Sequence, residues 1–300
     1  MCGIVGLFLK DKALEPRLGA LLADMLVTMT DRGPDSAGIA IYGGGVEGMA
    51  RITVQTPDPA RDYTGLAEKL AATVGEADVD VRDTHAIITV AASRLEAARA
   101  ALREISPRLR VMSAGENIAI FKEVGLPADV VKRFGIAAMS GTHGVGHTRM
   151  ATESAVTTLG AHPFSTGPDQ CLVHNGSLSN HNNLRRRLKA LGMTFETEND
   201  SEVAAAFISQ QIAAGLGLGE ALTGALQELD GFFTFVVGTK SGFGVLRDPI
   251  ACKPAVMAET DQYVAFGSEY RAFAGLPGVE RARVWEPRPA TVYFWEREAA

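Results

Sequence analysis

The chain has 300 residues, 46% of them hydrophobic and 21% charged, with a formal charge of −6. That is ample material for a buried core, as one large domain or a domain carrying an insertion, and it excludes an intrinsically disordered chain. Cys2, Cys171 and Cys252 form no CxxC pair, which excludes a disulfide framework and a thiolate zinc site and fits a reducing, cytoplasmic setting.

Residues 3–9 read as an apolar strand that stops at Lys10-Asp11-Lys12, too short for a membrane helix and without the positive flank of a signal peptide. Leu14, Leu18, Leu21, Leu22, Met25, Leu26 and Met29 then recur at helical spacing, and the helix should end before Asp31-Arg32-Gly33-Pro34-Asp35. Ser36–Tyr42 and Val46–Val54 flank three glycines and predict a hairpin. Residues 55–140 change character and predict an α/β insertion, with helices over 66–74 and 95–105 and strands over 85–91 and 117–124. A Gly-rich turn over 141–146 follows, then a strand around 170–174 and helices over 179–191 and from Asp200 or Ser201 to Gln211. Arg185-Arg186-Arg187 with Lys189 falls in the first of these helices without interleaved aromatics, which is a solvated face rather than a nucleic-acid site. Short strands over 232–237, 243–247, 255–257 and 263–266 close the pattern, and strands at both ends with helices between predict layered sheets.

Cys2 carries the most chemistry. Removal of Met1 would leave one residue bearing both a thiol and a free α-amine, a nucleophile with its own base. An α-amine with a pKa of roughly 7.7–8.0 is close to the working pH and needs little tuning as a general base.

Four segments accompany it: Cys2-Gly3-Ile4, Arg32-Gly33-Pro34-Asp35-Ser36-Ala37-Gly38, Gly146-His147-Thr148-Arg149-Met150-Ala151-Thr152 and His174-Asn175-Gly176-Ser177-Leu178-Ser179-Asn180. In this order they resemble the class II glutamine amidotransferases, which are N-terminal-nucleophile hydrolases. His162-Pro163-Phe164, Asn199-Asp200-Ser201-Glu202 and Arg247-Asp248-Pro249 extend the likeness over nearly the whole chain apart from the insertion. The resemblance implies an α+β fold, a four-layer αββα sandwich over residues 1–300, with the insertion of 55–140 within it.

It also implies roles. Cys2 would attack the carboxamide of L-glutamine, and the tetrahedral oxyanion so formed needs fixed donors, which the Asn175 amide and the Gly176 backbone would supply. Glutamine is a zwitterion at its other end, so a guanidinium and an acid are required there; by resemblance these are Arg149, helped by Thr152, and Asp200. Asp200 equally suits the N-cap of its helix. Arg32 and Gly33 resemble the turn that packs beside the nucleophile and holds its loop, and the resemblance groups them with the substrate-binding residues.

Sugar-phosphate amidotransferases carry a Trp and a His where this chain has Met150 and Glu153, which shifts the resemblance toward the glutamate-synthase branch. Stand-alone amidotransferase subunits of such complexes, including the first subunit of N-methylglutamate synthase and the related GlxB proteins, are similar. The expected function is a glutaminase that delivers ammonia to a separate synthase subunit, with any flavin or iron–sulfur centre on the partner chains and no cofactor here. With the last predicted strands close to residue 300, no synthase domain is expected on this chain. Alternatives are an N-terminal-nucleophile amidase acting on another linear amide, and a glutamine-binding regulatory subunit without turnover.

Five of the six histidines lie between 143 and 181, which raises the question of a metal. His143 and His147 have helical ligand spacing but sit among Gly141, Gly144 and Gly146 with no carboxylate following as a base, so no metal is expected. The same glycines lack the Lys-Ser or Lys-Thr of a phosphate loop.

Overall fold

The computed structural model describes residues 2–151 and 155–297. In chain order, strand β1 (Gly3–Leu9) leads to helix α1 (Leu18–Thr28), β2 (Ser36–Tyr42), β3 (Met49–Gln55), a short turn of helix α2 (Pro59–Asp62) and α3 (Leu66–Val74). There follow β4 (Ala77–Arg82), β5 (His85–Ala91), α4 (Leu95–Ile105), β6 (Arg110–Gly115), β7 (Ile118–Val124), α5 (Pro127–Arg133), β8 (His143–Arg149) and β9 (Cys171–Leu178). Helices α6 (His181–Ala190), α7 (Asp200–Ala213) and α8 (Leu218–Glu228) run in succession. Strands β10 (Gly231–Gly238), β11 (Gly242–Arg247), β12 (Val256–Glu259), β13 (Tyr263–Gly267), β14 (Arg283–Trp285) and β15 (Thr291–Glu296) complete the chain.

Two sheets stack to make the centre. One has seven strands in the order β14-β12-β13-β1-β8-β2-β7, the other four in the order β15-β11-β10-β9. Side chains alternate along each strand, so β1 sends Ile4 and Phe8 into the layer between the sheets while Val5, Leu7 and Leu9 meet α1 on the outside. Helices α6, α7 and α8 cover the outer face of the four-stranded sheet with Leu184, Phe207 and Leu222. The result is the expected αββα sandwich. Both faces of each sheet are covered, which is why strands such as β1, β2 and β8 are buried at every position. Among the described residues no helix is long and apolar enough to cross a membrane.

Three elements differ from their sequence reading. Residues 143–146, read within a Gly-rich turn over 141–146, instead open strand β8, because α1 lies directly on it: a Cβ at Gly144 would sit 2.7 Å from Leu22 Cδ2 and 2.6 Å from the Ala40 carbonyl. The glycines there answer to close packing, not to a turn. Strands β2 and β3 form no hairpin: β2 pairs with β7 and β8, whereas β3 pairs with β5 and β6 in a third sheet. Residues 118–124, read with the insertion, pair along their whole length with β2 in the seven-stranded sheet.

The third sheet has the antiparallel order β4-β5-β3-β6 and follows the chain pattern β-α-β-β-α-β, the split βαβ arrangement. Its own core, with Ile52, Leu66, Leu70, Ile88 and Leu102, lies between the sheet and helices α3 and α4. The Asp169 carboxylate ties this unit to the body by accepting the backbone N–H groups of Glu116, Asn117 and Ile118 at 2.7, 2.8 and 3.0 Å.

Candidate functional site

Cys2 stands at the start of β1, and its surroundings fix its backbone. The Gly3 amide donates to Thr148 Oγ1 at 3.2 Å, and the Ile4 amide donates to Ser268 Oγ at 2.9 Å. The Cys2 carbonyl accepts from Arg32 Nε at 3.0 Å and from Asn175 Nδ2 at 3.2 Å. Arg32 is itself held by Glu269 at 2.7 Å, and this guanidinium keeps the Glu269 carboxyl below its ordinary range. Gly33 lies flat against the end of β8, where a Cβ would come within 2.6 Å of the Arg149 backbone. The Arg32-Gly33 turn thus packs beside Cys2 without facing the cavity that Cys2 lines.

That cavity has a volume of about 900 Å³ and is lined by Cys2, Arg149, Asn175, Gly176 and Asp200, among others. Thr152 lies outside the described residues. The Cys2 thiol is 3.9 Å from the Met150 carbonyl. Arg149 ends β8, is buried, and its Nη1 donates to the Ala155 carbonyl at 3.3 Å. Asn175 and Gly176 lie within β9, paired with Thr234 and Phe233 of β10. Gly176 has φ +147°, and a Cβ there would fall 2.0 Å from the Phe232 carbonyl, so only glycine passes.

Asp200 begins α7 but does not cap it. Asn199 does, its side chain accepting the Ser201 amide at 2.8 Å, while Asp200 Oδ2 accepts the Leu178 amide at 2.9 Å. This leaves the Asp200 carboxylate at the cavity wall. Glu202 accepts the Glu196 and Thr197 amides, each at 2.8 Å, and so holds the loop ahead of the helix.

His162, His174 and Ser201 of the cavity wall belong to a cluster that the sequence signalled only as a run of histidines. Ser201 Oγ is hydrogen-bonded to both His162 Nε2 and His174 Nδ1 at 2.8 Å, and His147 Nε2–H donates to the His174 carbonyl at 3.0 Å. The His147 and His162 rings stack with centroids 4.1 Å apart. Burial pushes the basicity of all three down, to about 3 for His147, and Asp200 offsets part of this at His174. At neutral pH they are uncharged hydrogen-bonding groups that join β8, β9 and α7. Among the described residues no group of three or more histidine, cysteine or carboxylate side chains is disposed to hold a metal.

Lys253 and Phe232 also line the cavity, with the Lys253 ammonium 5.0 Å from the Phe232 ring centroid. Sequence reasoning missed this pair. Its only signal was the Arg247-Asp248-Pro249 segment, whose structural work is to shape that loop: Arg247 donates to the Ala251 and Lys253 carbonyls at 2.9 and 3.1 Å, and Asp248 accepts the Ile250 amide at 3.0 Å.

Comparison with known proteins agrees with this fold. A family model described as a glutamine amidotransferase domain matches residues 147–275. The chain is 67% identical to the glutamine amidotransferase-like protein GlxB of Rhizobium meliloti (strain 1021), over 100% of both chains. It is 27% identical to a glutamine–fructose-6-phosphate aminotransferase (isomerizing) of Mycolicibacterium smegmatis, over 91% of this chain and 33% of that protein. Among solved structures, the glutamine phosphoribosylpyrophosphate amidotransferase from B. subtilis superposes with a TM-score of 0.62 at 19% identity, covering 98% of this chain and 47% of that one. Full-length similarity to GlxB, together with the αββα sandwich, establishes that the chain belongs to the class II glutamine amidotransferases, a family of N-terminal-nucleophile hydrolases.

Proposed function

We propose that this chain is a glutaminase subunit that hydrolyses L-glutamine to glutamate and passes the ammonia to a synthase on a separate chain. The observation that carries this reading is the convergence of Cys2, Arg149, Asn175, Gly176 and Asp200, which come from four distant segments, on one cavity.

With Met1 removed, the free α-amine of Cys2 takes the thiol proton and the sulfur attacks the carboxamide carbon. The oxyanion of the tetrahedral intermediate is stabilised by the Asn175 side-chain amide and the Gly176 N–H. The intermediate collapses by expelling the nitrogen, which leaves as ammonia with the proton returned by the α-ammonium, and a thioester remains on Cys2. Water then attacks the thioester to release glutamate and restore the thiol. Arg149 and Thr152 bind the α-carboxylate of glutamine and Asp200 its α-ammonium, which sets the distance between headgroup and sulfur. Arg32 and Gly33 position Cys2 through its carbonyl.

Support for a separate synthase comes from GlxB, matched over its whole length, beside longer relatives of which this chain aligns with a third to a half. A glutamate-synthase-like or N-methylglutamate-synthase complex is the setting we favour, with the unit built on the third sheet as a candidate docking or ammonia-exit surface.

Two measurements test this. Mass spectrometry of the purified N-terminus should show Cys2 as the first residue, and a glutaminase assay should lose all turnover in Cys2→Ala. Retention of Met1 in active protein, or an active Cys2→Ala variant, defeats the mechanism. Full activity of the isolated chain defeats only the need for a partner.

A further inference from the structure

A second cavity of about 290 Å³ opens where the third-sheet unit meets the sandwich. Helix α4 supplies Arg99 and Arg103, four residues apart and hence on one helix face, and the edge strand β6 supplies Ser113. From the sandwich come Lys122 of β7, Thr166, and the loop ahead of α7 with Thr197.

Three cationic side chains, Arg99, Arg103 and Lys122, face two carboxylates, Glu196 and Glu202, in the lining of this cavity. Ser113 is 2% exposed, yet its Oγ has no hydrogen-bond partner among the described residues, and neither has the buried Nε of Arg99. Arg99 spends Nη1 on Glu96 at 2.9 Å, on the exposed side of the helix. The Lys122 ammonium is buried; it donates to the carbonyls of Leu159, Ala161 and Pro163 at 3.2, 2.8 and 3.2 Å and lies 4.7 Å from the Phe164 ring centroid, with no carboxylate partner among the described residues. Two acids share the wall, but both are engaged. Glu202 accepts from the Glu196 and Thr197 backbone, and Glu196 lies 3.8 Å from Arg110. Buried polar groups are costly to leave unpaired, and guanidinium donors beside a hydroxyl match the planar pair of oxygens on a carboxylate.

The cavity also adjoins the catalytic one. Thr197 lines both. The carbonyls held by Lys122 belong to the strap of residues 159–163, whose Gly160 and His162 face the catalytic cavity. A ligand that moved Lys122 or Thr197 would therefore move the wall against which glutamine binds.

The geometry points to an effector site for a small carboxylate, bound by Arg99, Arg103 and Ser113 and communicating with the catalytic cavity through Lys122, the strap and Thr197. The binding half stands alone; the communication half rests on the glutaminase reading.

Calorimetric titration of the full chain with succinate, and separately with inorganic phosphate, at constant ionic strength and without glutamine, tests the site. Saturable succinate binding is expected, tighter than phosphate, and weakened about tenfold or more in Arg99→Leu/Arg103→Leu and measurably in Ser113→Ala, which leaves the helix untouched. No saturable binding, phosphate binding as tightly as succinate, or affinity unchanged in both variants overturns the site. Saturating succinate should then change the KM for glutamine by about twofold or more in the unaltered chain and not in the double variant, whose basal turnover stays normal. Succinate binding without any kinetic effect overturns the communication. A chain devoid of glutaminase activity also overturns the communication, while the binding measured by calorimetry stands.

Discussion

The Asn175 side chain donates to the Cys2 carbonyl oxygen at 3.2 Å, so the candidate oxyanion donor and the candidate nucleophile are joined directly. Arg32 holds the same oxygen from another side at 3.0 Å. An amide already fixed in place needs little reorganisation when charge develops on the substrate, and such donors act mainly on the transition state. Asn175→Ala is expected to lower kcat by about 10²–10³-fold with little change in the KM for glutamine. Steady-state kinetics decide it, and a variant with normal kcat would remove Asn175 from the chemistry.

Asp200 offers a cleaner separation of charge from structure. Its Oδ2 accepts the Leu178 amide at 2.9 Å, and an asparagine keeps an oxygen for that bond while deleting the negative charge that would face the ammonium of glutamine. Asp200→Asn should therefore raise KM by about 10- to 100-fold, the range expected for losing a charged hydrogen-bond partner, while unfolding stays close to normal. An unchanged KM would assign the carboxylate to the helix start alone.

The residues of the candidate site were legible because each belongs to a short motif in which chemistry restricts the residue type: a second-position cysteine, Asn175 beside Gly176, and an acid at the head of a helix. Strands at both ends with helices between made layered sheets legible, and the resemblance carried by the four motifs supplied the αββα sandwich. What stayed hidden depends on neighbours distant in sequence. Gly144 reads as a turn until α1 is laid on it, and Ser201 reads as a helix-start residue until His162 and His174 converge on its hydroxyl. The glycines after Tyr42 suggest a hairpin, and only strand pairing shows that they pass the chain to another sheet.

Gly176 tests the backbone side of the site. At φ +147°, with the Phe232 carbonyl 2.0 Å from an added Cβ, alanine can be accommodated only if β9 and β10 part. Gly176→Ala is expected to destabilise the fold by roughly 3 kcal/mol or more, given backbone strain added to overpacking. Urea unfolding followed by circular dichroism measures this, and a stable, active variant would show that the strand pair yields.

Buried histidines make the fold sensitive to acid. His143 lies between the sheets with its ring 4.2 Å from that of Tyr42, its Nε2–H donating to the Thr239 carbonyl at 2.9 Å, and burial pushes its pKa down to about 3. In the unfolded chain the ordinary value of about 6.5 returns, so between those limits the unfolded state binds more protons. The sign follows: stability is fully present above pH 6.5 and is lost as the pH falls toward 3, by about 2 kcal/mol for this one group between pH 7 and pH 5. His143→Gln retains a donor for Thr239 and does not titrate. Its unfolding free energy should start lower at pH 7, through lost stacking on Tyr42, yet fall less steeply by about 2 kcal/mol on the way to pH 5. Urea titrations at the two pH values compare the slopes, and parallel slopes would mean that His143 takes up its proton without leaving the folded state.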